Sequence, residues 1–157
     1  MKEIKEETKR EVIDTHIYYE ATDGTKFANS EECKRYEASA LGVIRSKATK
    51  LIVSENHDAW ALLGGFDDNT VTAFKPQNSE DVDTLMQLML LENPWLTNDI
   101  RKELRDKRYS IISDACKNND LVLFGVNCDN EYYFINSRQN IIDNLMSLDK
   151  KEVDNAE

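Results

Sequence analysis

The chain has 157 residues, 40% of them hydrophobic and 32% charged, and a formal net charge of −10. Two Trp, six Tyr and five Phe spread along it exclude disorder throughout, and a domain of this length buries roughly 70% of its unfolded surface. The acid excess argues against a nucleic-acid binder working by phosphate neutralisation, and apolar runs such as Trp60 to Leu63 fall far short of the ~18 residues of a membrane helix.

Met1-Lys2-Glu3-Ile4-Lys5-Glu6 has no apolar stretch, so no signal peptide is expected. Ile13, Thr15, Ile17 and Tyr19 alternate with Asp14, His16, Tyr18 and Glu20, the period of a half-buried strand. Asp23-Gly24 then predicts a hairpin, because a type I′ turn needs positive φ and this pair supplies it cheaply. Asn29-Ser30 offers a helix cap with Glu31 and Glu32 in the first turn, and Cys33, Tyr36, Ala40, Leu41 and Ile44 follow at helical spacing.

The same grammar returns twice. Lys50 to Ser54 reads as a short strand. Ala59 to Phe66 and Thr70 to Phe74 flank the turn Asp67-Asp68-Asn69, and Asn78-Ser79 opens a helix carrying Val82, Leu85, Met86, Leu88 and Met89. Asn93-Pro94 ends that helix, since proline disfavours a helical residue before it. Thr97 or Asn98 caps a further helix with Ile100, Leu104, Ile111, Ile112 and Ala115 on one face, closed by Asn118-Asn119. Leu121 to Cys128 and Glu131 to Phe134 flank Asp129-Asn130, and Asn136-Ser137 opens the last helix. The expected fold is α+β: antiparallel hairpins, each followed by a helix (three ββα-like units), plus an extra helix. One domain is expected over 1–150, with a flexible acidic tail at 151–157. Hairpin-helix order is incompatible with a parallel sheet.

Charge is uneven. From Ser54 to Asp99 nine acids face one base, Lys75, whereas Arg101 to Arg108 holds five bases and two acids. The acidic stretch reads either as a solvated face that aids solubility or as a surface that docks a basic partner. Asp58, Asp67, Asp68, Glu80, Asp81 and Asp83 are its candidate contact residues. Trp95, following Pro94 in a connection, is the candidate exposed anchor.

No phosphate loop, dinucleotide fingerprint, zinc-protease helix or nucleophile elbow is present. Gly64-Gly65 ends a strand rather than opening a helix and reads as a bulge or bend. His57, Asp58, Asp67 and Asp68 form the dense His/carboxylate group. The expected hairpin places the two pairs at opposite ends of a strand roughly 25 Å long, which suits turns better than one acid/base or metal site. His16 reads as a structural strand residue. Cys33, Cys116 and Cys128 are widely spaced and fit reduced thiols in a cytoplasmic compartment rather than zinc or disulfides. Cys128, beside Asp129, has no base placed next to it. No cofactor, metal or catalytic residue is expected.

Tyr19-Glu20-Ala21-Thr22-Asp23-Gly24-Thr25-Lys26-Phe27, followed by Ser30-Glu31-Glu32-Cys33-Lys34-Arg35-Tyr36-Glu37, resembles the N-terminal hairpin-helix segment of small uncharacterised bacteriophage and prophage proteins. The likeness covers about 20 residues and implies a viral or mobile-element origin, with no activity attached. The resulting expectation is a non-enzymatic, phage-type cytoplasmic protein that binds a basic protein partner, as an inhibitor of a host or defence factor. Direct nucleic-acid or membrane binding is not expected. A virion or assembly component, as a homo-oligomer, is one alternative. A small-ligand protein or hydrolase centred on His57 is another.

Overall fold

A computed structural model describes residues 1–9, 13–56, 70–126 and 132–153, with side chains at 1–4, 17–55, 70–125 and 134–147. The α+β class holds: two antiparallel sheets, of three and four strands, are combined with helices. The chain divides into two compact units, Met1–Lys50 and Leu51–Glu157.

In the first unit, β1 (Lys2–Lys9), β2 (Ile13–Glu20) and β3 (Lys26–Phe27) pair in that order. β1 has no counterpart in the sequence reading, because its alternation of Lys and Glu offers no apolar face. The register sets Lys2 opposite Glu20 and Tyr19 opposite Phe27. The connection differs from the expected type I′ turn. Gly24 N–H donates to the Ala21 carbonyl at 3.0 Å, Ala21 N–H to the Thr25 carbonyl at 2.9 Å, and Thr25 N–H to Asp23 Oδ1 at 3.1 Å. Positive φ falls on Gly24 (+89°) and not on Asp23, so the turn is an ordinary one closed by a left-handed glycine. Ile17, expected on the buried face, is 49% exposed. The helix that follows packs on both β2 and β3.

The single helix expected from Ser30 through Ile44 is two: α1 (Ser30–Glu37) and α2 (Ala40–Thr49). Asn29 Oδ1 accepts from Glu32 N–H at 2.8 Å to cap α1, and Ser39 Oγ accepts from Gly42 N–H at 3.0 Å to cap α2. The Tyr36 carbonyl receives both Ser39 N–H (2.9 Å) and Ser39 Oγ–H (2.6 Å). A Cβ at residue 42 would lie inside contact distance of that same carbonyl. The break is therefore a local competition: a serine that caps a new helix outcompetes continuation of the old one.

Tyr36 ties this unit together. Its ring meets Phe27 at 5.1 Å. Its hydroxyl donates to Asp23 Oδ2 at 2.6 Å and accepts from Arg45 Nη1 at 3.2 Å. Burial, then the Asp23 hydrogen bond, push its hydroxyl above the ordinary tyrosine value. Cys33 is fully buried beside these elements, as the helical spacing predicted. Glu37 Oε1 accepts from the Thr22 hydroxyl (2.9 Å) and Thr22 N–H (3.2 Å), and pairs with the Met1 ammonium (3.2 Å).

In the second unit, β4 (Ile52–Asn56), β5 (Thr70–Phe74), β6 (Val122–Val126) and β7 (Tyr132–Ser137) form an antiparallel sheet in chain order. β5 pairs with β4 on one side and β6 on the other. Residues 57–69, and with them the strand expected over Ala59 to Phe66 and the bend at Gly64-Gly65, lie outside the described residues. Among the described residues, three helices accompany the sheet: α3 (Ser79–Glu92), α4 (Lys102–Lys117) and α5 (Arg138–Val153). Phe74, Phe124, Leu85, Leu88, Met89, Leu96, Ile112 and Val122 make the buried core, with the two Phe rings 4.9 Å apart.

The first and third expected hairpin-helix units are present as β2-β3-α1 and β6-β7-α5; in the second, β5 has both edges taken by β4 and β6, so its partner is the short strand Ile52–Asn56 and not the expected Ala59 to Phe66. The Asn-Ser pairs are used differently. Asn29 and Asn78 cap their helices, whereas at the third Ser137 Oγ accepts from Asn140 N–H at 3.1 Å. The start of α5 is further pinned by buried Asp120. Its Oδ1 meets Arg138 Nε at 3.0 Å and Nη2 at 2.9 Å, and its Oδ2 accepts Gln139 N–H at 2.8 Å. α4 ends on Asn119 at φ +52°. Asp120 N–H reaches back to the Ala115 carbonyl and Asn119 N–H to Cys116, a left-handed closure that asparagine tolerates. α5 runs to Val153, three residues into the tail expected from 151.

Two outcomes follow for the first unit. Gly42→Ala pushes a methyl into the Tyr36 carbonyl and should destabilise this unit by about 2 kcal/mol, read as a lowered urea midpoint. The Glu37 carboxyl is held below the usual carboxylate range, chiefly by the Thr22 hydroxyl. A depressed native pKa contributes stability above the unfolded value of about 4.3, lost as pH falls through the native value. Glu37→Gln should therefore flatten the acid limb of the stability curve below about pH 5, measured by urea midpoints across acid pH; an unchanged slope refutes the assignment.

Candidate functional site

The link between α3 and α4 is built from two 3₁₀ turns, Pro94–Thr97 and Asp99–Arg101. Proline starts the first, as position N1 allows. Asn98 Oδ1 caps the second by accepting Ile100 N–H at 3.1 Å. In so tight a turn neighbouring side chains point apart: Leu96 is fully buried, whereas Trp95 is 43% exposed. The exposure expected of Trp95 is present. Ile100, expected on the core face of the following helix, is 85% exposed. The 3₁₀ turn has three residues per turn rather than 3.6, so extrapolating the α-helical stripe backwards from Leu104 misplaces it.

Three arginines at i, i+4 and i+7 (Arg101, Arg105 and Arg108) meet this link. Arg105 Nη1 donates to the Leu96 carbonyl at 3.1 Å and the Thr97 carbonyl at 3.4 Å. The Arg101 and Arg108 guanidiniums lie over the Trp95 ring at 5.8 and 5.7 Å from its centre, within cation-π range. Arg108 is 7% exposed, and burial pulls its guanidinium below the ordinary value, though an arginine stays charged. Around them opens a cleft of about 650 Å³ lined by Pro94, Trp95, Thr97, Asn98, Ile100 and Arg101. The sequence reading missed these arginines as partners of Trp95: Arg101 ends the second 3₁₀ turn and Arg105 and Arg108 lie on α4, so sequence spacing does not by itself join them to Trp95.

The acidic candidates lie elsewhere. Glu80, Asp81 and Asp83 occupy the first turns of α3, and a 14-residue helix spans roughly 21 Å, so its axis separates them from Trp95. Asp81 serves the helix itself: its Oδ2 accepts Gln77 N–H at 2.8 Å and its N–H donates to Asn78 Oδ1 at 3.1 Å. Glu80 and Asp83 are exposed. Asp58, Asp67, Asp68, His57 and Cys128 lie outside the described residues, as does the His16 side chain.

Asn93, at the end of α3, is fully buried; its Nδ2 donates to the Met89 carbonyl at 3.0 Å and its Oδ1 has no partner. A second, polar groove of about 580 Å³ runs along α4 and the start of α5. Its carboxylates are committed: Asp120 to the α5 start, and Asp114 to Lys117 (3.0 Å) and Ser110 (3.2 Å). Those two partners, Lys117 first, hold the Asp114 carboxyl below its ordinary value. Among the described residues, no group of three or more His, Cys, Asp or Glu is placed to hold a metal ion, and no helix is long and apolar enough to cross a membrane.

No protein-family model, curated protein or solved structure matches this chain. The site is thus defined by its geometry: an aromatic ring flanked by guanidiniums, beside an exposed aliphatic side chain.

Arg105→Ala removes a charged donor from two carbonyls and should lower the stability of the second unit by about 1–2 kcal/mol. Arg105→Lys should recover only part of it, because an ammonium is a point charge without the guanidinium fork. Urea unfolding of the three proteins checks both.

Proposed function

We propose that the protein acts by protein-protein contact, as a non-enzymatic binding protein of the cytoplasm. The observation that carries this is the surface at Trp95 and Ile100. Trp and Arg dominate binding hot spots, where a large side chain enters a partner and is dried by its neighbours. Ile100, 85% exposed on an ordered turn beside Trp95, is an apolar group held out to water with no fold requirement for it there. The likeness of residues 19–37 to phage proteins supports a viral or mobile-element origin, and an inhibitor of a host or defence factor is the role that fits a small binding protein of that origin. The chain's charge of −10 favours a partner of net positive charge by long-range steering, with Glu80 and Asp83 among its exposed carboxylates.

One observation favours a second reading, an assembly component. Ile142, Leu145 and Met146 on α5 are 43%, 59% and 60% exposed, an apolar stripe at helical spacing that a second copy of the chain would cover.

A tagged pull-down from host lysate, with and without nuclease, separates the two. A stoichiometric, nuclease-resistant partner that is lost from Trp95→Ala and Ile100→Ser proteins supports the contact reading; a partner retained by both variants refutes the site. Recovery of the protein alone as an oligomer, dissociated by Leu145→Glu, supports assembly instead. Asp81→Lys is unsuitable as a binding probe, because it removes the carboxylate that accepts Gln77 N–H at the start of α3.

A further inference from the structure

We infer that the Trp95 cleft takes an acidic peptide segment, one apolar side chain seated between Pro94, Trp95 and Ile100 and a neighbouring carboxylate paired with Arg101. The inference rests on the contact reading above and names the chemistry of the partner at that site. Three observations carry it.

First, the walls are apolar and open. Trp95 and Ile100 are both exposed, on a cleft of about 650 Å³, a size that holds one or two side chains rather than a whole domain. Second, the cleft carries a cation within a protein of net charge −10: Arg101 is the charged residue among those that line it. Arg101 lines the cleft, and among the described residues its guanidinium meets the Trp95 ring and no carboxylate. A guanidinium already oriented by stacking presents its fork to a carboxylate with little further loss of side-chain freedom. Third, the backbone beneath is braced, since Arg105 holds the Leu96 and Thr97 carbonyls and Leu96 is fully buried. A site whose walls are ordered before binding loses less entropy on association.

A single-stranded nucleic acid is the competing occupant, because arginine and tryptophan also form base-stacking platforms. The observations favour the peptide. Glu103 and Asp106 interrupt the basic run from Arg101 to Arg108 that a phosphate backbone would track. The acidic segment and the net-positive partner are compatible: steering reads overall charge at a distance, whereas salt confines the Arg101 contact to about 8 Å.

The test is fluorescence anisotropy of the full chain with four labelled probes. These are the acetylated peptide Asp-Glu-Leu-Phe-Glu-Asp, the same peptide with Lys for each acid, the same peptide with Ser for Leu and Phe, and a ten-residue oligothymidylate. The first should bind at least about tenfold more tightly than the other three. Arg101→Glu should weaken it by about tenfold or more, and Ile100→Ser should weaken it several-fold. Both side chains are exposed, so neither change should disturb the fold, which circular dichroism checks. No binding of the acidic peptide, equal binding of the Lys version, indifference to Arg101→Glu, or tighter binding of oligothymidylate each overturns the inference. Should the peptide fail while Trp95→Ala still abolishes partner capture, the contact reading stands and the acidic-peptide chemistry falls. Should both fail, the contact reading falls with it.

Discussion

The contact of Phe74 with Phe124, on neighbouring central strands of the second sheet, is the constraint from which the candidate site follows. Two rings on one face of a sheet leave apolar area that helices must cover. Leu85, Leu88 and Met89 of α3 and Ile112 and Ala115 of α4 are buried in the same unit. α3 and α4 also pack on one another, so the chain between them must turn within the short stretch from Asn93 to Arg101. In so short a path one side chain can join the core and its neighbour cannot. Leu96 enters and Trp95 is left outside. The exposed tryptophan is thus a by-product of closing the core, and the arginines of α4 make an ordered surface of it.

Those arginines solve two electrostatic problems at once. A 3₁₀ turn leaves carbonyl groups unsatisfied, and Arg105 accounts for two of them. A guanidinium is costly to bury without compensation, and Arg108 lies over the Trp95 ring while it is withdrawn from water. Arg101, just before α4, is the arginine that lines the cleft and gives it a cation. The first unit shows a parallel economy: Tyr36 joins the Phe27 ring, the Asp23 turn and Arg45, and its carbonyl both stops α1 and faces Gly42.

Much of the fold was legible because it rests on local chemistry. Asn29, Asn78, the Asn93-Pro94 stop and the Asn118-Asn119 closure act through hydrogen bonds within a few residues, and such bonds are written in adjacent letters. The alternation and helical spacing that placed Val82, Leu85, Leu88 and Ile112 inside are likewise short-range patterns. The division of Ser30 to Thr49 into two helices was harder, since Ser39 is equally at home on an exposed helix surface. β1 was invisible, because a Lys/Glu strand is specified by its partner β2 through backbone pairing and by no periodicity of its own.

What the sequence determined by itself was the α+β class, the hairpin-helix succession, the charge polarity along the chain and an exposed Trp95. Each follows from propensities or composition that act over a few residues. Tertiary structure alone decided that Arg101 and Arg108 meet Trp95, that Ile100 faces water, and that Glu80, Asp81 and Asp83 sit a helix length away. These depend on how a 3₁₀ link rotates one helix against the next. Such a rotation is set by the volume of a shared core, not by any residue's own preference, and one-dimensional patterns do not record it.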